Sequence, residues 1–160
     1  MKKDMKTNAM RILDKEKIPY EPFYYECEEF IDGVHIADML GQPYEITFKT
    51  LVMQGKSKNY FVFVIPIAEE VDMKKAARVV GEKALEMVHV KDIQAVTGYI
   101  RGGVTSIGMK KKYPTVIDET AQLFDTIIVS GGMLGTQIHL APDDLLKAVD
   151  GQFADITQEH

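Results

Sequence analysis

The stretch EITFKTLVMQG, residues 45–55, sets a lysine into the middle of an apolar segment with strand character. Side chains alternate along a strand, so Ile46, Phe48, Thr50 and Val52 share one face and Thr47, Lys49, Leu51 and Met53 the other. Lys49 therefore lies beside two large apolar side chains, where an ammonium group loses water at a cost. A lysine point charge so placed can hold a phosphate, or stabilise charge developing on a carbonyl oxygen.

Other catalytic patterns are absent. The histidines, His35, His89, His139 and His160, are scattered without the i,i+3 or i,i+4 spacing that holds zinc. His139 alternates with Ile138 and Leu140 and reads as an exposed strand histidine. Ser130 stands in VSGGMLG rather than in a G-x-S-x-G elbow. The single cysteine, Cys27, sits among acids in YECEE, which disfavour a thiolate, and it excludes an intrachain disulfide. Glycines gather at Gly98, at Gly102, Gly103 and Gly108, and at Gly131, Gly132 and Gly135, but none matches a phosphate loop. They predict tight turns, and turns that could let a ligand approach bare backbone groups.

The elements that must position these residues follow from periodicity and punctuation. Residues 6–18 predict an amphipathic helix with Ala9, Met10, Leu13 and Ile18 on its apolar stripe, stopped by Pro19. YEPFYYE predicts an edge strand, because Pro22 has no N–H to give. Residues 33–41 predict a short helix ending at Gly41. The Lys49 strand and NYFVFVIPI, 59–67, predict a hairpin whose second strand is buried on both faces. A helix over 72–81 has Asp72 as its N-cap and Gly81 as its stop. KALEMV predicts a strand, and KDIQAVTG a helix ending at Gly98. A strand, a helical turn from Asp118 and a strand at 126–130 come next. TQIHL is a strand, and a last helix is capped near Ala141–Pro142 and closed by Gly151. The expected fold is α/β, with a mixed sheet or barrel-like core flanked by helices, as one domain over residues 1–160.

Composition bounds the rest. Of 160 residues, 46% are hydrophobic and 27% charged, as in soluble globular proteins. The N-terminus MKKDMKTNAMRILDKEK lacks the apolar run of a secretory signal. No segment nears the roughly 20 apolar residues that cross a bilayer. The expected location is the cytoplasm, without membrane or metal partners. The net charge of −5 argues against generic coating of nucleic acid. A local basic patch of Lys110, Lys111 and Lys112, with Lys56, Lys58 and Arg101 as neighbours, would suit an RNA end.

FKTLV, TGYIRGGVTSIGMKKKYPTVID and IIVSGGMLG, in that order and at these separations, closely resemble the YbaK family, related to the editing domain of bacterial prolyl-tRNA synthetases. The likeness runs from the first helix to FADI near the C-terminus. It implies hydrolysis of mischarged aminoacyl-tRNA in trans, with no metal, cofactor or protein nucleophile. It also implies that Lys49 is the functional lysine, facing the aminoacyl-adenosine end of tRNA. Thr50, Gly102, Gly103, Ser130, Gly131 and Gly132 match the pocket's other positions, with Tyr25 and Phe30 as its aromatics, while the basic run Lys110, Lys111 and Lys112 is the expected tRNA contact on charge alone. Two departures stand out: Thr105-Ser106 replaces a Ser-Pro, and Gln137 replaces the aspartate of the Cys-tRNA deacylases. The implied substrate is Cys-tRNA(Pro), with Cys-tRNA(Cys) beside it and prolyl-tRNA synthetase as a partner. Alternatives are Ala-tRNA(Pro) or another small aminoacyl-tRNA. Two other classes stay open, a binding module that captures tRNA ends or a synthetase without turnover, and an unrelated small-ester hydrolase.

Overall fold

The computed structural model describes residues 6–159. His160 and the first five residues of the N-terminal segment lie outside the described residues. Helix α1 (Asn8–Lys15) buries Ala9, Met10 and Leu13 and takes its N-cap from Thr7. It ends before Pro19 acts. Lys17 adopts a left-handed φ of 59°, Ile18 N–H bonds back to Leu13 O and Lys17 N–H to Asp14 O. This is a Schellman closure with lysine where glycine is usual, and buried Ile18 and Leu13 belong to the same core cluster.

The strands form two sheets. The larger has the order β4-β2-β3-β5-β8 and the smaller β1-β7-β6. Their members are β1 (Glu21–Tyr24), β2 (Phe48–Gly55), β3 (Tyr60–Pro66), β4 (Leu85–Met87), β5 (Thr115–Asp118), β6 (Ile127–Ser130), β7 (Thr136–Leu140) and β8 (Gln152–Ala154). β2 and β3 are the predicted antiparallel hairpin, while β3–β5 and β5–β8 pair in parallel, so the sheet is mixed. β1 pairs only with β7, which leaves Pro22 on an edge. A parallel bridge between Thr47 and Ile128 stitches the sheets together.

Each face of the large sheet carries a core. Phe48, Val64 and Ile117 pack with α1, β6, β7 and α5 (Pro142–Val149). Met53, Phe61, Phe63 and Ile65 pack with Ala76 of α3 (Met73–Val80), Val71 and Ile156. β3 is therefore buried on both faces, as its continuous apolar run predicts. Asp72 caps α3, and Gly81, Gly41 and Gly98 close α3, α2 (Gly33–Leu40) and α4 (Val90–Thr97) with positive φ.

Three expectations are corrected. Residues 44–46 form a 3-10 turn, so β2 starts at Phe48 rather than 45. Asp150, at φ 51°, closes α5 instead of Gly151. Gly151 is needed for another reason, since a Cβ there would stand 2.8 Å from Thr115 O. His139 is half-buried, not exposed. Its ring stacks on Phe23 with centroids 5.7 Å apart, and its Nε2 is buried without a partner. Burial holds this imidazole below the ordinary histidine range, with Glu21 opposing.

Asp118 ties the end of β5 to the C-terminal segment. It is 1% exposed. One carboxylate oxygen accepts from Thr120 N–H and Oγ1–H, the other from Ile156 N–H at 3.2 Å. Asp118→Ala strands these buried donors and should lower stability by about 2–3 kcal/mol, read as a fall in the urea midpoint at unchanged slope.

Candidate active site

Strand β2 is paired with β3 along its length, but its other edge is divided. The N-terminal end meets β6 at the Thr47–Ile128 bridge, and the C-terminal end meets β4 from Met53 to Gly55. The neighbours splay apart between those points. A cleft of about 400 Å³ occupies the fork. Its walls are β2 (residues 47–52), β6 (residues 128–130), α4 with Met87 and Val88, the start of α2, and a loop carrying Arg101, Gly102 and Val104.

Lys49 pairs with Ile65 and Leu51 with Phe63, so the lysine does share the face of Leu51 and Met53. It is half-buried, lines the cleft, and makes no hydrogen bond or ion pair with any described residue. The other basic lining residue, Arg101, lies with its guanidinium carbon 3.9 Å from the centroid of Phe30. Asp32 is the acid of the lining, and it is occupied. It caps α2 through His35 N–H, and both its oxygens lie 2.9 Å from His35 Nδ1. Those bonds pull the Asp32 carboxyl below its usual range and raise His35 above its own. The free charge of the cleft is thus positive, in a largely apolar setting.

Tyr25, Phe30, Thr50, Gly102, Ser130 and Gln137 also line the cleft. Burial, with the Cys27 thiol beside it, pushes the Tyr25 phenol up to about 12. Gln137 is 5% exposed and forms a reciprocal amide pair with Gln42, at 2.8 and 3.0 Å. With Gln137 in place of an aspartate, the wall is neutral and internally bonded.

The structure places Gly103, Thr105, Gly131 and Gly132 behind the wall rather than on it. A Cβ on Gly103 would lie 3.0 Å from Met133 Cα, and one on Gly131 2.5 Å from Thr136 Cγ2. Gly103 lets the two loops pack backbone to backbone, and Gly131 makes room for Thr136 across its own turn. Thr105 is fully buried. Lys111 and Lys112 line a separate groove near the ends of α1 and α5 and the Lys110 stem covers Gly98, whereas Arg101 lines the cleft. Tyr99 anchors the glycine loop by donating to Ile107 O at 2.5 Å, and Asn8 of α1 reaches Gly108 O at 3.2 Å.

Sequence reasoning missed Asp32, Gln42 and the cleft position of Arg101. Asp32 had a readable signal, since an Asp three residues before His35 opens an apolar helical run. Gln42 and Gln137 are 95 residues apart, and no local pattern joins them.

Comparison with known proteins agrees with the geometry. The aminoacyl-tRNA editing domain model matches residues 33–148. EbsC of Enterococcus faecalis, a proposed Cys-tRNA(Pro)/Cys-tRNA(Cys) deacylase, is 46% identical over 157 residues, covering 98% of this chain and 96% of its own. A proposed trans-editing enzyme for prolyl-tRNA synthetase superposes with a TM-score of 0.81 at 21% identity, over 97% of this chain and 100% of that one. The hypothetical protein APE2540 does so at 0.84 and 17% identity, over 92% and 97%. These two structures share the fold.

Gly103→Ala forces a methyl group against the Met133 backbone, which cannot turn aside as a side chain can. It should destabilise by about 1–3 kcal/mol, measured by urea denaturation.

Proposed function

The chain belongs to the aminoacyl-tRNA editing-domain family, and on that premise we propose that it hydrolyses mischarged aminoacyl-tRNA in trans, with Cys-tRNA(Pro) as first substrate and Cys-tRNA(Cys) as second. One observation carries the reading: Lys49, whose side chain has no partner among the described residues, stands on a half-apolar wall of a cleft with room for an aminoacyl group. The ammonium contacts either the phosphate of the terminal nucleotide or the ester oxygen on which charge develops. An aminoacyl ester is already activated, so positioning and charge stabilisation suffice without a protein nucleophile.

In the cysteinyl case the substrate's thiol sulfur attacks its own carbonyl carbon. The ester C–O bond breaks, the ribose oxygen leaves with the thiol proton, and water opens the resulting thiolactone. In the alanyl case a water adds directly. Ile36, Ile67, Val88, Val90 and Ile93 bound the cleft and reject larger side chains by volume. A missing methylene alone is worth only about 1–3 kcal/mol, so exclusion must supply the larger discrimination.

Arg101 and Lys110, Lys111 and Lys112, exposed and without an ion pair among the described residues, are the proposed contacts for the tRNA beyond its terminal ester. With a net charge of −5, the chain has little general attraction for tRNA. Prolyl-tRNA synthetase, holding the mischarged tRNA in the cytoplasm, is the proposed source of tRNA selection. Among the described residues no helix is long and apolar enough to cross a membrane.

Two measurements test this. Incubated with Cys-, Ala- and Pro-tRNA(Pro), the protein should release cysteine, leave proline attached, and lose about 10²–10³-fold in rate in Lys49→Ala. Survival of every ester overturns the reading in favour of a module that binds without turnover. Separately, a phenol with its pKa at about 12 stays neutral in the working range. Tyr25→Phe should therefore leave the shape of the rate–pH profile unchanged between roughly pH 6 and 9. A titration step that disappears in this variant would make Tyr25 an acid–base group.

A further inference from the structure

The edges of β2 sort its residues by parity. Thr47 O accepts from Ile67 N–H at 2.9 Å, and Gly55 N–H donates to Asn59 O at 2.9 Å. Odd-numbered residues thus turn their backbone groups toward β3. On the opposite edge Val52 O accepts from Val88 N–H at 3.0 Å. Backbone direction alternates with period two, so Thr50 turns its N–H and C=O to the edge that Val52 uses. That edge has β6 at the Thr47 bridge and β4 from Met53 onward, with no ladder partner at Thr50. Thr50 is half-buried and lines the cleft, so its donor and acceptor face the space where a substrate would sit.

An aminoacyl ester carries the matching pair. Its α-ammonium is a donor and its ester carbonyl an acceptor, separated by one Cα as in a strand residue. We propose that Thr50 receives the aminoacyl group as a one-residue strand added in the fork, its C=O accepting from the α-ammonium and its N–H donating to the ester carbonyl oxygen. The inference rests on the deacylase reading and names the groups that orient that reaction. When a nucleophile adds to the carbonyl carbon, the C=O electron pair moves onto oxygen, where the Thr50 N–H meets it. When the pair returns, the C–O bond to ribose breaks and the ribose oxygen leaves with the nucleophile's proton. Recognition through backbone leaves the amino acid side chain to be judged by the cleft's apolar wall alone.

The test separates the backbone of Thr50 from its side chain. Thr50→Val removes the hydroxyl and keeps the N–H, so its kcat should exceed that of Thr50→Pro by at least about tenfold. Thr50→Pro removes an N–H on the edge of β2 turned away from β3, so the hairpin ladder keeps its hydrogen bonds. It should lose about 10²–10³-fold in kcat. Equal activity of the two variants overturns the proposal. Amide hydrogen exchange on the wild-type protein provides a second reading that needs no variant to fold. Thr50 N–H should exchange quickly in the free protein while those of Leu51 and Met53 are slow. It should slow at least about tenfold when cysteinyl-adenosine with an amide in place of the ester is bound. A Thr50 amide already protected in the free protein, or unaffected by the bound analogue, overturns the proposal as well. Failure of the wild-type protein to deacylate any tRNA would overturn the function itself, and the exchange data would still decide whether Thr50 binds the analogue.

Discussion

Everything at the site depends on one strand being asked to pair with three others. β3 satisfies one edge of β2 completely, while β6 and β4 compete for the other and neither covers it. Backbone donors and acceptors are obligatory hydrogen-bonding groups, so a gap of this kind is tolerated only where water or ligand can enter. The two apolar clusters hold the gap open. Phe48 is drawn into one and Met53 into the other, which pins both ends of the strand while its middle has no ladder partner on the edge away from β3. A hydrophobic constraint thereby maintains a polar opening.

That arrangement also explains where the lysine can live. Lys49 lines the fork half-exposed, and a lysine so placed can keep its ammonium hydrated with its stem against apolar surface. With Asp32 engaged by His35, no free carboxylate competes for it among the cleft's lining residues. The neutral Gln42–Gln137 pair keeps the opposite wall from adding one.

Local features of the fold were legible because each has a local physical cause. Asp72, Gly81, Gly41 and Gly98 punctuate helices through their own backbone geometry, and the run at 60–66 is apolar because both its faces are covered. β8 escaped notice because three residues, Gln152 to Ala154, carry no pattern of their own and become a strand only beside β5. At the site, the odd lysine was visible in its own strand, and the resemblance added the cleft residues Thr50, Gly102 and Ser130. Gly103, Thr105 and Gly131, which it also named, stand behind the wall, where Gly103 meets the Met133 backbone, Gly131 meets Thr136 and Thr105 is buried. Nothing local distinguishes a glycine that admits a ligand from one that admits another loop.

The contact of Gly103 with the Met133 backbone has a mechanical consequence. At Gly103 the two loops touch through main chain, with no side chain at that point to absorb a displacement. Tyr99 and Asn8 fasten the first loop to α1. The wall of the cleft should therefore move as a single panel hinged on the first helix, so that widening at one loop is transmitted to the other.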